Sequence, residues 1–317
     1  MRQSDYVTIL CGEFNDNYTP LTRAGFWALY HKYNDSMDEL VSSEEPQVKE
    51  LLKRSASITF AIAELRQRGL RITTFLDNDF PKRLFTRLGD FCPPLLYTCG
   101  NYELSTKRTV GYVGSRSITE LDAQWTEARI EKNINDGYGI VTGGAKGIDS
   151  VALSAAINAG SFAIVYLPDN IGLKIREAYF QQALLAGRLL LYSHVSPLAK
   201  KNKNSFVSSA MERNKFIYAQ SIATVVVRSD LNKGGTWSGA TEALRHKWSR
   251  VYAWDNVQYP GNQKLIEMGA LPLSDDGKPA ARKKSDEVNS NVTYVTDKQI
   301  AQQGSLFDKE HAVSEGS

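Results

Sequence analysis

Four short stretches of this chain gather cations and glycines in the way an anion-binding site needs. The first, VGSRS, offers Gly114 for a tight turn, the Ser115 hydroxyl as a donor, and the Arg116 guanidinium as a fork onto a phosphate. The second, TGGAKGID, sets Gly143, Gly144, Lys146 and Gly147 ahead of a helix opened by Asp149. Glycines let backbone N–H groups turn toward an anion, and a helix N-terminus adds about half a positive charge. The third, AMERNKF, supplies Arg213, Asn214 and Lys215. The fourth, NKGGTWSGA, supplies Lys233, Gly234, Gly235 and Thr236, with Trp237 beside them. Each stretch alone is as well explained by turn geometry. Four at one sheet edge favour phosphate binding over solvated surface charge.

Other chemistries find less support. His31, His194, His246 and His311 are scattered, with no two at a metal-ligand spacing, and no G-x-S-x-G nucleophile elbow is present. Cys11, Cys92 and Cys99 show no metal spacing either, and read as reduced cytoplasmic thiols. GYVGSR lacks the third glycine of the dinucleotide fingerprint, and G-x-x-x-x-G-K-[ST] is missing. The expectation is therefore no metal, no cofactor and no catalytic residue.

The elements that must position these loops are legible in hydropathy. From Thr109, six short β-branched runs (VGYVG, YGIVTGG, SFAIVYL, RLLLYS, IATVVVRS and RVYAWD) alternate with helical patterns. Strands buried on both faces between helices predict an α/β, doubly wound, mostly parallel sheet. In such a sheet ligands bind beyond the C-terminal strand ends. Ser117 and Glu120 fit a capping box for the helix after VGSR. Residues 1–70 read as a helical N-terminal domain. One helix, with Leu21, Phe26, Leu29 and Tyr33, starts after Thr19-Pro20; another, with Ile58, Ile62 and Leu65, stops at Gly69. Residues 71–107 read as a connector with short strands leading the domain 71–273. Residues 274–317 are polar and read as a disordered tail.

The whole chain has 317 residues, 42% hydrophobic and 23% charged, with a net charge of +3. Those values suit a globular protein whose nucleic-acid affinity, if any, comes from a local patch. No apolar run is long enough to span a bilayer, and MRQSDYVTILCGEFND is too soon broken to be a secretion signal, so a cytoplasmic location is expected.

The order VGSR, GGAKGID, ERNKFI and GN-x-x-LIEMGA, preceded by DFPKRL and PPLLYTCGN, resembles the DNA-processing protein A family (DprA, also called Smf). The resemblance covers about residues 71–273. It implies an extended Rossmann fold with a helical N-terminal domain, single-stranded DNA as ligand, loading of a RecA-type recombinase, and a homodimer. Under it, Arg116 and Lys146 match the family's basic pocket, and Arg213 and Asn214 its Arg-Asn pair. The chain departs from the pattern in KGGTWSGATEAL and LPDNIGLKIREAYF, and a C-terminal winged helix does not fit into residues 274–317. The role could then lie in transformation, repair or defence against foreign DNA.

The residues support single-strand binding on their own account. LAKKNKNSF adds Lys200, Lys201 and Lys203, while Phe206 and Trp237 are candidate stacking faces for bases. Two alternatives use the same loops. A nucleotide-signal sensor is one. The other is a nucleoside-monophosphate glycosidase of the lysine-decarboxylase-like family, whose PGGxGTxxE motif GGTWSGATE resembles. Here Glu242 stands one residue late, a turn of about 100° on a helix. In the tail, Gln303, Ser305, Leu306 and Phe307 resemble the QxSLF peptide that docks in the replicative sliding clamp.

Overall fold

The structure, a computed structural model, describes residues 1–14, 16–198 and 203–276, with side chains from Phe206 onward in the last stretch. Lys200, Lys201, the side chain of Lys203, the disordered-tail reading from 277 onward and the peptide of Gln303, Ser305, Leu306 and Phe307 lie outside the described residues. Among those described, five helices come first: α1 (Gln3–Cys11), α2 (Arg23–Lys32), α3 (Met37–Val41), α4 (Pro46–Leu52) and α5 (Ser55–Gln67). Strand β1 (Arg71–Thr74), helix α6 (Lys82–Leu88) and strand β2 (Leu95–Gly100) follow. Then come β3 (Thr109–Val113), α7 (Glu120–Asn135), β4 (Gly139–Thr142), α8 (Ile148–Asn158) and β5 (Ala163–Leu167). The short α9 (Ile171–Lys174), α10 (Ala178–Leu185), β6 (Leu189–Ser193) and the long α11 (Lys203–Gln220) lead to β7 (Ala223–Val226). Last are α12 (Gly234–His246), β8 (Arg250–Trp254), α13 (Pro260–Glu267) and β9 (Leu271–Leu273). All six apolar runs are strands, and the class is the expected α/β, Rossmann-like and mostly parallel one. LPL at 271–273 is an additional strand that its single proline-centred triplet did not announce.

The chain forms two compact units. The first comprises Met1–Phe80, Asp90–Ser105 and Phe162–Arg213. Its strands run in the order β1-β2-β6-β5, with antiparallel pairs β1/β2 and β2/β6 and a parallel pair β5/β6. The expected boundary at residue 70 falls inside this unit, because the helices share its core. Trp27 packs edge-on to Phe75 (4.9 Å between centroids) and its Nε1 donates to the Cys92 carbonyl (2.8 Å). Arg54, 1% exposed, donates to the carbonyls of Ile9 (2.9 Å) and Gly12 (2.8 Å), serving acceptors that the end of α1 leaves over. Thr22, whose hydroxyl accepts from Gly25 N–H (3.1 Å), opens α2, so the helix begins after Leu21 rather than at Thr19-Pro20.

The second unit comprises Pro81–Gly89, Thr106–Ser161 and Asn214 onward. Its five strands run β4-β3-β7-β8-β9, every neighbour parallel. Val110, Tyr112, Ile140 and Val225 of the strands, with Val227 just beyond β7, meet Trp125 and Ile130 of α7 and Ile148 and Ala152 of α8. Trp125 and Trp254 stack at 4.5 Å. Helix α7 is capped by Thr119, not Ser117. Thr119 Oγ1 accepts from Asp122 N–H, and the Asp122 carboxylate accepts from Thr119 N–H (2.7 Å). The capping box expected from Ser117 and Glu120 is thus two residues further on, since Ser117 N–H is taken by Ser115 Oγ (3.1 Å).

Candidate nucleic-acid interface

Parallel strands put all their C-terminal ends on one edge, so the turns after β3, β4 and β7 share it. From β3 the chain crosses to β4 on one side, and from β7 it crosses to β8 on the other. The direction reverses between β3 and β7, which are paired through Val110–Val113 and Ala223–Val226. Such a switch point leaves a crevice at the strand ends, the usual ligand position of an open α/β sheet.

Two of the loops read from sequence meet there in direct contact. Ser115 N–H donates to the Arg228 carbonyl beyond β7 (3.0 Å), and Ser115 O accepts from Ile148 N–H at the start of α8 (3.2 Å). Gly147 has φ +82°, and a Cβ there would lie 2.2 Å from Ser115 O and 2.7 Å from Arg116 Cα. Only glycine lets the GGAKG loop sit against the VGSR backbone. Gly114 is likewise pressed on Ile148, whose Cγ1 would be 2.4 Å from an added Cβ. Arg116 and Lys146 are exposed on these touching loops, while Ser115, Gly144 and Gly147 are half-buried and Gly143 is buried. Asp149 braces the second loop: its Oδ2 accepts from Ala145 N–H (3.3 Å), and the N-cap position of α8 belongs to Gly147. The carboxylate therefore shapes the loop more than it caps the helix.

AMERNKF is not a loop but the middle of α11, an 18-residue helix. Its residues separate accordingly. Arg213 is 4% exposed, inside the first unit. Asn214, in the second unit, donates from Nδ2 to the Gly235 carbonyl at the start of α12 (3.0 Å). Lys215 Nζ lies 2.7 Å from Glu242 Oε1. The two helices approach closely at Gly239, where an added Cβ would stand 3.2 Å from Tyr218 and 3.3 Å from Asn214. Of the fourth stretch, Lys233 and Gly234 are exposed, and Gly235, Thr236 and Trp237 are half-buried in the first turn of α12. Gly234 has φ +85°, which turns the chain into that helix.

Three residues at this edge were not singled out by sequence. Asn262, fully buried, accepts from Ser229 N–H (2.9 Å) and donates to the carbonyls of Val227 (2.9 Å) and Trp254 (3.0 Å), tying the ends of β7 and β8 together. This gives the GN pair of GN-x-x-LIEMGA a structural role. Asp122, 0% exposed, accepts from Thr119, from Tyr259 OH (2.5 Å) and from Arg228 Nη1 (3.1 Å). Burial alone raises a carboxyl pKa, but the hydrogen bonds from Thr119, Tyr259 and Arg228 outweigh it and hold Asp122 below its ordinary value. The signal for Arg228 was an arginine directly following VVV, where a buried strand ends at the edge that gathers these loops.

Among the described residues no group of His, Cys, Asp and Glu could hold a metal ion, and no helix is long and apolar enough to cross a membrane.

Residues 71–279 match the family model described as DNA recombination-mediator protein A. A curated relative, protein Smf of Synechocystis sp., is 27% identical over 240 residues, covering 68% of this chain. The chain spans 58% of that relative's length. Among solved structures, DNA processing protein A of Streptococcus pneumoniae superposes with a TM-score of 0.68 at 21% identity, covering 89% of this chain and all of that one. DNA processing protein A of Helicobacter pylori, described for its single-stranded DNA binding mode, gives a TM-score of 0.53 at 25% identity, covering 65% and 92%.

Proposed function

The chain belongs to the DNA recombination-mediator protein A family, and from that premise we propose that it binds single-stranded DNA as a DNA-processing protein, with the β3/β7 edge as the backbone-binding site. The observation that carries this reading is the seating of Gly147 on Ser115 and Arg116, which sets two exposed cations, Arg116 and Lys146, on touching loops. Backbone N–H groups at the start of α8 add partial positive charge to the same place. Lys233, Gly234, Gly235 and Thr236 follow β7 at that edge, and Asn214 anchors them through Gly235. The half-buried Trp237 in the first turn of α12 is the face on which a base stacks at this edge, while Phe206, 39% exposed in the first unit, is a separate candidate stacking face. Arg213, being buried, supports α11 from within and is not a surface contact.

The reading is non-enzymatic. Glu242, the carboxylate a glycosidase would need at the sugar, is engaged by Lys215 instead. The solved relative from Helicobacter pylori, described for single-strand binding, lends support. Recombinase loading and a homodimer are the family's further implications for this chain.

The test is a salt titration of affinity for a labelled oligonucleotide. Arg116→Ala and Lys146→Ala should each weaken binding about five- to tenfold for strands of any sequence, and lower the salt slope by roughly one. Parental affinity in both variants would remove the site. Chromatography of a nucleoside monophosphate incubated with the protein should show no released base; free base would overturn the non-enzymatic reading.

A further inference from the structure

Arg228 lies two residues beyond the end of β7, with its backbone fixed against the VGSR loop by the Ser115 N–H (3.0 Å). Its side chain runs toward the start of α7. Nη1 donates to Asp122 Oδ2 (3.1 Å), and the guanidinium lies over the Tyr259 ring, 5.1 Å from the centroid. Asp122 is itself held by Thr119 N–H (2.7 Å), Thr119 Oγ1 (3.0 Å) and Tyr259 OH (2.5 Å), so it cannot swing away. A surface arginine ordinarily samples many rotamers, and ordering one at a binding event costs free energy. Here that ordering is built into the free protein.

The guanidinium carries five N–H donors in one plane, of which Asp122 engages one nitrogen. The Arg228 side chain keeps 29% exposure, whereas the Asp122 side chain has none. Donors therefore remain available at the crevice after the ion pair has formed.

We propose that Arg228 is a third phosphate-contacting arm of the interface, oriented by Asp122 and Tyr259. The inference rests on the β3/β7 edge holding the DNA backbone. Its partner is a backbone phosphate, read through charge-assisted hydrogen bonds. Because Asp122 cancels the charge nearby, Arg228 contributes direction and contact with little long-range attraction. Arg116 and Lys146, by contrast, release counterions from the strand and so set the slope of affinity against salt.

This difference makes the two halves of the ion pair respond with opposite signs. Affinity of the full chain for a labelled oligothymidylate is measured by fluorescence anisotropy over a range of salt. Arg228→Gln should weaken binding at least tenfold and flatten the salt slope, since it loses a directed contact and leaves the Asp122 charge uncompensated. Asp122→Asn should tighten binding about threefold and steepen the slope, because it unmasks the Arg228 charge. Arg228→Gln leaves Asp122 buried without its cation, which can unfold the chain. The charge-conserving double variant, Asp122→Asn with Arg228→Gln, is therefore measured beside it, and should also bind about tenfold more weakly than the parent; the parental salt slope is expected only of this variant.

A purely structural brace would make Asp122→Asn weaken binding as Arg228→Gln does. That result, or parental affinity in the double variant, overturns the proposal. Arg116→Ala separates the two levels. If it leaves affinity unchanged, the edge itself has been misread; if it weakens binding while the double variant does not, only the role of Arg228 falls.

Discussion

At the scale of single residues, Gly147 decides the geometry of the site although it carries no chemistry. Its φ of +82° and its contact with Ser115 O and Arg116 Cα admit no side chain. Gly147→Ala would combine left-handed strain with overlap against backbone that cannot move aside, at a cost of about 2–4 kcal/mol. The expected outcome is lower stability in urea together with weaker single-strand binding, even though every cation is retained. Normal affinity in a folded Gly147→Ala protein would mean that the two loops need not touch. The glycines were readable as turn formers; which of them was indispensable was not, because close approach is a relation between loops distant in sequence.

At the scale of elements, α7 shows how a cap can serve a site. Thr119 and Asp122 close the capping box, and Asp122 extends the same carboxylate to Tyr259 and Arg228 at the strand ends. Thr119→Ala should cost about 1–2 kcal/mol, observable as a lower denaturant midpoint with an unchanged m-value. An unaltered midpoint would mean that the box is dispensable. The sequence showed a Ser-x-x-Glu pattern two residues earlier, and that pattern was locally sound. It lost to Thr119 because Ser117 N–H is already bonded within the VGSR turn. ERNK was misplaced for a related reason. Its charges suggested an exposed loop, whereas α11 continues through it and gives each residue a different direction: Arg213 inward, Asn214 to Gly235, Lys215 to Glu242.

At the scale of the whole molecule, acid sensitivity should centre on the first unit. Burial, with Arg23 and Arg213 nearby, pulls His194 down to about 4, although Glu212 Oε2 stands 3.8 Å from its Nε2. In the unfolded chain a histidine titrates near ~6.5. The unfolded state therefore takes up the proton first as pH falls, and stability drops between ~6.5 and about 4, by roughly 3 kcal/mol for this group. His194→Gln should flatten the stability profile in that window while leaving it unaltered at neutral pH and above. A variant with the parental acid slope would place the sensitivity elsewhere. Nothing in the spacing of His194 marked it, because its shift comes from residues far along the chain.

The sequence alone determined the six central strands, the α/β class and the family resemblance, and it marked Arg116 and Lys146 as the cations proposed for the interface. Each of these is written in local pattern: β-branched runs buried on both faces, glycines at strand ends, and motifs in a fixed order. Only the tertiary structure decided that β1 and β2 add antiparallel strands to the first unit, and that Arg213 is interior. It alone placed Arg228, Asp122 and Tyr259 in one network at the switch point. Those facts depend on register, burial and contact between segments more than a hundred residues apart, such as Asp122 and Arg228, and such long-range contacts have no local sequence signature.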